Sequence, residues 1–328
     1  MVWADGETRM GGSISAQSGI NGGDGGFVET SGHALSVTGG KVSTLAPAGK
    51  TGTWLLDPTA WIIANSGGDE TPAALQGRLA GSNIVITTGS GGSGDITVND
   101  AVNWTSTNTL TLSAYHDVLV NADITNAGSG AITLRADNSG SSSGTVIFGG
   151  AFHVGTQGAI SILYNPGGGY ASPTNYNANI SAGTLTASML VNDVTQLQAV
   201  SNNLAGTYAL GRSIDANATS GWNSNGSGGY YGFAPIGDTT TNFTGSLDGL
   251  GHTISNLYIN RPTEDYVGLF GAAGSGSSLS NLVLGGGSVT GERSITGGVQ
   301  ARCGTVRFRI RSDREATVPG LMPRRSPR

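Results

Sequence analysis

Five carboxylates are candidates for acid–base catalysis by residue type, and they are Asp57, Asp215, Asp248, Glu264 and Asp265. A glycoside hydrolase needs two carboxyl groups that face each other across a cleft. Asp57 lies in a Leu-Leu-Asp-Pro sequence and Asp248 in a Leu-Asp-Gly sequence, where aspartate is a common turn residue. We therefore predict no catalytic residues and no enzyme. A carbohydrate-active enzyme stays as an alternative.

Metal, nucleotide and cofactor sites have little support in the sequence. The chain has four widely separated histidines, His33, His116, His153 and His252, and none has the H-x-x-x-H spacing of a metal pair. The sequence Gly-Lys-Thr at 49–51 matches the end of a phosphate-binding loop, but Thr44 stands where the first glycine is required. The Gly/Asp stretches at 22–26 and 91–95 lack the spacing and tandem repetition of calcium-binding nonapeptides. We predict no metal ion and no cofactor.

Two other features allow more than one interpretation. Tyr230 and Tyr231 are flanked by glycines and have the right type to stack on a sugar ring, although an ordered loop is the preferred interpretation. Glycosylation sequons occur at Asn103, Asn179, Asn217, Asn225 and Asn242. Their number matches chance in a chain so rich in Ser and Thr, so glycosylation stays open.

Composition excludes several classes of protein. Glycine accounts for 56 of 328 residues, charged residues for only 11% and hydrophobic residues for 37%, which is unlike a charged disordered chain. No apolar run is long enough for a transmembrane helix. The net charge of −5 argues against a nucleic-acid partner.

The charge changes sign near the C-terminus. Residues 1–290 hold 7 Lys+Arg and 18 Asp+Glu, whereas residues 291–328 hold 9 Arg and 3 acidic residues. The last segment also contains Cys303, the single cysteine. We interpret 291–328 as a basic tail that is disordered or translated out of frame, with a nucleic-acid arm as a further alternative.

Short β-branched runs bounded by Gly, Asn, Asp or Ser predict an all-β fold. The runs lie at 12–16, 34–38, 83–87, 95–98, 109–113, 118–120, 131–134, 145–148 and 159–163. One short helix is predicted within 190–203 from apolar residues at i, i+3 spacing. A parallel β-solenoid competes with an antiparallel sandwich. Low charge favours the solenoid, because equivalent residues of successive rungs stack directly on one another and like charges would repel.

Two motifs in residues 2–58 carry a family resemblance. They read GGFVETSGH at 25–33 and GTWLLDP at 52–58. In this order and spacing they resemble the passenger region of filamentous-haemagglutinin-type proteins and the related high-molecular-weight adhesins, which are exported by two-partner secretion. A second resemblance covers 194–291, where FTGSLDGLGHTISNL at 243–257 is followed by YVGLFG at 266–271. This part is similar to the GLUG-motif module of bacterial surface proteins.

The resemblance implies a right-handed parallel β-helix that is secreted to the surface of a Gram-negative bacterium and acts as an adhesin. It divides the chain into haemagglutinin-like rungs at 1–60, further rungs at 61–190, a GLUG-like module at 191–290 and the tail at 291–328. The implied partners are an outer-membrane secretion protein, acting through a region outside this chain, and a host-surface receptor or glycan. We expect a fragment of a longer protein, because the N-terminus lacks the features of a signal peptide. A purely structural stalk is the other alternative.

Overall fold

The computed structural model describes residues 2–292, and most of its regular structure is β-strand. The predicted tail falls outside the described residues, apart from residues 291 and 292. In chain order the strands are β1 (Val2–Arg9), β2 (Ser13–Ser15), β3 (Phe27–Ser36), β4 (Lys41–Ser43), β5 (Thr53–Asp57), β6 (Trp61–Ile63), β7 (Asn83–Thr87), β8 (Ile96–Val98), β9 (Val102–Trp104), β10 (Leu110–Ser113), β11 (Val118–Val120), β12 (Ile124–Asn126), β13 (Ile132–Arg135), β14 (Val146–Phe148), β15 (Val154–Tyr164), β16 (Ile180–Val191), β17 (Thr207–Leu210), β18 (Ile214–Asp215), β19 (Ser246–Asp248), β20 (Thr253–Ser255), β21 (Tyr258–Arg261), β22 (Ser278–Ser280), β23 (Val283–Gly285) and β24 (Ser288–Gly291). Two short α-helices are α1 (Pro72–Leu79) and α2 (Val194–Ala199), and 3₁₀ turns lie at Asn177–Asn179, Val200–Asn202 and Asn217–Gly221.

All these strands pair in parallel. The main sheet has the order β1-β3-β5-β7-β10-β13-β15-β16-β17-β19-β22, and β9 and β12 join it through the long strand β15. The second sheet has the order β14-β11-β8-β6, and smaller sheets are β18-β20-β23, β2-β4 and β21-β24. The predicted all-β class is confirmed, and the competing antiparallel sandwich is wrong. At about 4.8 Å per strand, the eleven-strand path of the main sheet extends about 48 Å.

The chain visits the sheets in a repeating order. It passes from β7 in the main sheet to β8 in the second sheet and then to β9, and it repeats this order as β10, β11 and β12. We call one such cycle a rung. Successive members of the main-sheet column Ile84, Leu110, Ile132 and Ile160 are 26, 22 and 28 residues apart in sequence. The nine strand runs predicted from the sequence all lie at or overlap strands of these rungs.

The core consists of apolar columns between the sheets. Alternate residues of each short strand point inward, so their counterparts in successive rungs stack on one another. A third group of strands consists of β9, β12 and the first residues of β15, which pair with one another. The inward residues are fully or almost fully buried, and they include Trp54, Ile84, Leu110, Ile132 and Ile160 of the main sheet, Trp61, Ile96, Val118 and Val146 of the second sheet, and Val102, Ile124 and Val154 of the third group. Burial of these columns is the main source of stability for a chain with so few charges.

Glycines of the two sequence motifs mark places where successive rungs approach closely. A Cβ atom added to Gly25 would lie 1.8 Å from the carbonyl oxygen of Thr44. One added to Gly52 would lie 2.0 Å from the carbonyl oxygen of Gly26. These two positions require glycine because the backbones of adjacent rungs are in contact there.

The sequence predicted one helix, and the structure has two. The prediction within 190–203 is confirmed by α2, which Asp193 caps by accepting a hydrogen bond of 2.8 Å from the N–H of Gln196. Helix α1 was missed, although Thr71 before Pro72 is the usual start signal. The Thr71 hydroxyl accepts a hydrogen bond of 3.2 Å from the N–H of Ala74.

A buried arginine attaches α1 to the neighbouring strands. Arg78 donates to the carboxylate of Glu70 and to the carbonyl oxygens of Gly40 and Val37, the last two at 2.8 and 2.9 Å. Its guanidinium also lies 4.6 Å from the ring centroid of Trp54. The side chains of Arg78 and Glu70 are only 7% and 1% exposed. The ion pair thus joins the helix to both the β3–β4 turn and the core.

We expect Leu112→Ala to lower the free energy of unfolding by about 2–5 kcal/mol, because it opens a cavity in a fully buried column. Thr111→Ala, on the outward side of the same strand, is the matched control and should cost less than about 1 kcal/mol. Guanidinium-induced unfolding followed by circular dichroism measures both. Equal destabilisation by the two substitutions would contradict the assignment of the inward column.

Arg78→Met should destabilise the protein by about 3–5 kcal/mol, because it leaves the Glu70 carboxylate buried without its partner. The double variant Arg78→Met/Glu70→Gln removes the unpaired charge and should be more stable than Arg78→Met alone. The same unfolding measurement compares the two variants. A double variant less stable than Arg78→Met would show that the unpaired charge is not the source of the loss.

Candidate functional site

Asp215 and Asp248 are the last residues of β18 and β19, and their carboxylates cap the turns that follow and bind the neighbouring rung. Each Oδ1 accepts a hydrogen bond from the N–H two residues further on, at 3.0 Å for Asp215 and 2.8 Å for Asp248. Asp215 Oδ1 also accepts from the side-chain amide of Asn256, and Asp248 Oδ1 from that of Asn281, both at 3.0 Å. The hydrogen bond from Asn256 is the main reason that the pKa of Asp215 is lowered. These contacts are those of residues that cap a turn and also bind the next rung.

Of the remaining candidate carboxylates, Glu264 and Asp265 line the same pocket, and Asp57 does not line it. Asp57 lies on the outward side of β5, where burial, and then the nearby carboxylate of Glu29, raise its pKa. Glu264 forms an ion pair of 3.1 Å with Arg261 in the distant β21 region. The five candidates named from the sequence therefore do not form one cluster.

A different set of ionisable residues meets at the turns that precede β8 and β11. Asp95 immediately precedes β8, and His116 and Asp117 immediately precede β11. Because Ile96 pairs with Val118, Asp95 and Asp117 occupy equivalent positions in successive rungs. One ligand atom from each of these three residues lies within 4.8 Å of the other two. We call this group the Asp–His–Asp cluster.

The geometry of the Asp–His–Asp cluster is centred on one imidazole nitrogen. His116 Nδ1 lies 3.1 Å from Asp95 Oδ1 and 3.2 Å from Asp117 Oδ2. Backbone hydrogen bonds orient both carboxylates. Asp95 Oδ1 accepts a hydrogen bond of 3.0 Å from the N–H of Asp117, and Asp117 Oδ1 accepts one of 2.6 Å from the N–H of Thr145. The side chains of His116, Asp95 and Asp117 are 43%, 28% and 20% exposed, so solvent reaches the cluster.

Sequence reasoning missed this cluster because it searched for ligands at helical spacing. Asp95 and His116 are 21 residues apart, which is close to the length of one rung. The signal was present in the two strand runs, since DITV at 95–98 and DVLV at 117–120 have the same pattern. Aligning those runs places Asp95 beside Asp117, but it requires the parallel register to be known.

The other histidines have simpler surroundings. His153 Nδ1 lies 3.7 Å from one carboxylate, that of Asp123. Burial, and then the charge of Arg135, lower the pKa of His252. The carbonyl oxygen of His33 accepts a hydrogen bond of 3.1 Å from the hydroxyl of Thr59.

A buried polar ladder runs across three rungs near the end of β13. Asp137 is fully buried, and its Oδ2 accepts hydrogen bonds from the side-chain amides of Asn165 and Asn192 at 2.9 and 3.0 Å. Arg135 lies beside it, and burial lowers the pKa of that guanidinium while Asp137 opposes the shift. The ladder gives the buried Asp137 carboxylate its hydrogen-bond donors, whereas Asn192 Oδ1 and Arg135 Nε are buried without a hydrogen-bond partner.

Two surface regions offer space for a ligand. The guanidinium carbon of Arg261 lies 5.3 Å from the ring centroid of Tyr231. Arg261 also lines a pocket of about 470 Å³ together with Asp238 and Glu264. A groove of about 810 Å³ lies between the β2-β4 sheet and α1, and its walls are largely Gly, Ala and Ser. Tyr230 is 42% exposed and Tyr231 38%. The tyrosine pair is therefore accessible, as sugar stacking requires.

Comparisons with known proteins find partial likeness only. A segment is 38% identical over 130 residues to halomucin of Haloquadratum walsbyi, covering 38% of this chain and 1% of halomucin. Another is 41% identical over 61 residues to a protein of Evansella cellulosilytica named as a Gly-rich membrane protein, covering 19% of this chain and 7% of that protein. The chain thus spans a small fraction of either relative. No protein-family model matches the chain, and no solved structure matches it significantly.

Within residues 2–292, neither helix has the length and apolar character needed to cross a bilayer.

We expect Asp57→Asn to raise the thermal midpoint at pH 7 by about 1–2 °C. The folded-state pKa of Asp57 lies above its ordinary value, so the ionised carboxylate lowers the stability of the parent protein as the pH rises above about 4. The asparagine of the variant stays neutral and does not lose this stability. The gain should vanish at pH 3, where the carboxyl is protonated in both states. Asp215→Asn is the matched control, and it should lower the thermal midpoint at pH 7, because hydrogen bonds to the ionised carboxylate lower the pKa of Asp215. Differential scanning calorimetry at both pH values checks the pair.

Proposed function

We propose that the rungs close into a right-handed parallel β-helix. The repeated order of main sheet, second sheet and third group supports this closure, because a chain that returns to the same sheet once per rung must wind around an interior. The apolar columns of all three groups are buried and form one cluster, which fits a shared core. Parallel crossovers are right-handed in about 98% of cases, and this supports the handedness.

We further propose that the protein is part of a large secreted adhesin of the filamentous-haemagglutinin type, and that it attaches cells through the sides of this rod. The observation that carries the proposal is the outward face of the main sheet. There Thr111, Thr133 and Ser161 repeat in register at one strand spacing. Together with Arg135 and the apolar side chains of Leu55, Val85, Leu163 and Leu250 they line a shallow trough of about 500 Å³, so the hydroxyl rows lie beside apolar surface.

Such a face suits a repetitive, hydroxyl-rich partner. Rows of hydroxyl groups offer donors and acceptors at a fixed interval, and they match the uncharged hydrogen-bonding surface of a glycan. The region 1–290 has only 7 basic residues, so attachment should depend little on ionic pairing. We therefore propose a host-surface glycan or glycosylated receptor as the partner, with binding spread over many rungs.

The secretory setting rests on the resemblance in the two glycine motifs and in the GLUG-like segment. Export would use an outer-membrane secretion protein that recognises a region outside this chain, and the rod would stand on the surface of a Gram-negative bacterium. The two partial relatives are named halomucin and a Gly-rich membrane protein, and neither name identifies an adhesin. Support for the adhesive role therefore comes from the face of the rod and the sequence motifs.

Attachment can be tested with the purified chain on a glycan array and on cultured epithelial cells. We expect saturable binding that is lost when the chain is unfolded and that changes less than twofold between low and high salt. The double variant Tyr230→Ser/Tyr231→Ser is the control for a local site, and distributed binding predicts retention of most of the signal. Loss of all binding in that variant would place recognition at the tyrosine pair instead.

The same experiment separates the alternative functions. A rod that binds no glycan and no cell, although it is folded, would be a structural stalk. Release of reducing sugar from any polysaccharide would make the protein a carbohydrate-active enzyme. Either result contradicts the adhesin proposal.

A further inference from the structure

We propose that the Asp–His–Asp cluster is a binding site for one divalent transition-metal ion, which joins two successive rungs. The ligand atoms are Asp95 Oδ1, His116 Nδ1 and Asp117 Oδ2, and solvent would fill the remaining coordination positions. The proposal is independent of the adhesive role.

The distances between the ligand atoms fit a common metal ion. Metal–ligand bonds to imidazole nitrogen and carboxylate oxygen are about 2.0–2.2 Å, so neighbouring ligands of one ion lie about 2.8–3.1 Å apart in octahedral and about 3.3–3.6 Å apart in tetrahedral geometry. His116 Nδ1 lies 3.1 Å from Asp95 Oδ1 and 3.2 Å from Asp117 Oδ2. A neutral imidazole has at most one proton on Nδ1, and that proton cannot make a strong hydrogen bond to both carboxylates. A metal ion in its place would bind all three residues.

The carboxylates are positioned by groups outside the cluster. Asp117 Oδ1 accepts from the N–H of Thr145, which belongs to the next rung and precedes β14. That bond leaves Asp117 Oδ2 directed toward the imidazole. Hydrogen bonds of this kind orient metal ligands and reduce the cost of organising a site.

The chain contains a comparison site with one carboxylate fewer. His153 precedes β15 and has Asp123 at 3.7 Å from its Nδ1, and the N–H of His153 donates to Asp123 at 2.8 Å. Both histidines thus lie beside a carboxylate of the preceding rung, but the backbone donor differs: Asp95 accepts from the N–H of Asp117, the residue after His116, whereas Asp123 accepts from the N–H of His153 itself. The second carboxylate is what distinguishes the proposed site, and it makes His153 a matched control.

The donor set and the local charge indicate the class of ion. One imidazole nitrogen with two carboxylate oxygens suits Zn²⁺ or a similar first-row ion, whereas Ca²⁺ and Mg²⁺ prefer oxygen ligands alone. Among residues 2–292, no lysine or arginine forms an ion pair with Asp95 or Asp117. Their negative charge therefore stays available to a cation.

Isothermal titration with ZnCl₂ tests the site on the full chain without an affinity tag. All proteins carry Cys303→Ser so that the thiol does not bind the ion. We expect one Zn²⁺ per chain, with affinity at least tenfold weaker in Asp95→Asn and in His116→Gln. His153→Gln should bind as tightly as the parent. Zn²⁺ should also raise the thermal midpoint of the parent and of His153→Gln, but not of His116→Gln, because the ion binds the folded state.

Control measurements keep loss of folding apart from loss of the site. Asparagine keeps the oxygen that accepts the backbone hydrogen bond, so Asp95→Asn and Asp117→Asn should match the parent midpoint in EDTA. A parent that binds no Zn²⁺ at millimolar concentration would overturn the proposal. So would unchanged binding in His116→Gln, or Ca²⁺ that displaces Zn²⁺ at equal concentration.

Discussion

Parallel pairing in register between successive rungs is the constraint on which the rest of this structure depends. The backbone hydrogen bonds between strands determine which residue of the next rung and which residue of the previous rung lie beside a given residue, each about 4.8 Å away. A side chain therefore meets its counterpart from the next rung along the whole sheet. The chain must place compatible residues at equivalent positions, and the buried columns through Ile84, Leu110, Ile132 and Ile160 satisfy this requirement with apolar side chains of similar size.

Polar residues meet the same constraint through hydrogen bonds to the neighbouring rung. Asp24, Asp95, Asp117 and Asp123 each accept from a backbone N–H located 22 to 30 residues further along the chain. A carboxylate that caps a backbone N–H in this way stabilises the turn and the contact between rungs together. This recurrent use of aspartate explains why an acidic chain can stack its turns without large repulsion.

Two places combine the stacking of rungs with ionisable side chains. Helix α1 contacts β4 and β9, and it places Arg78 beside the buried carboxylate of Glu70. The stacking of Asp95 on Asp117 brings two carboxylates to one imidazole. Regular rungs give the main sheet its repeating outward face, and helix α1 and the Asp–His–Asp cluster add ionisable groups to the rungs.

The sequence by itself predicted the all-β class and the short helix at α2, whereas Asp57 and Asp248, predicted as turn residues, are the last residues of β5 and β19. Those features are local: alternating β-branched residues, glycine-bounded runs and an N-capping aspartate depend on neighbours a few residues away. Helix α1 was equally local, and its Thr-Pro start was overlooked. Only the tertiary structure decided which rung lies on which, and hence the meeting of Asp95 with His116 and of Arg78 with Glu70 and Trp54. Rungs of 22 to 28 residues have unequal turns, so the partner of a given residue cannot be counted from the sequence until the backbone pairing fixes it.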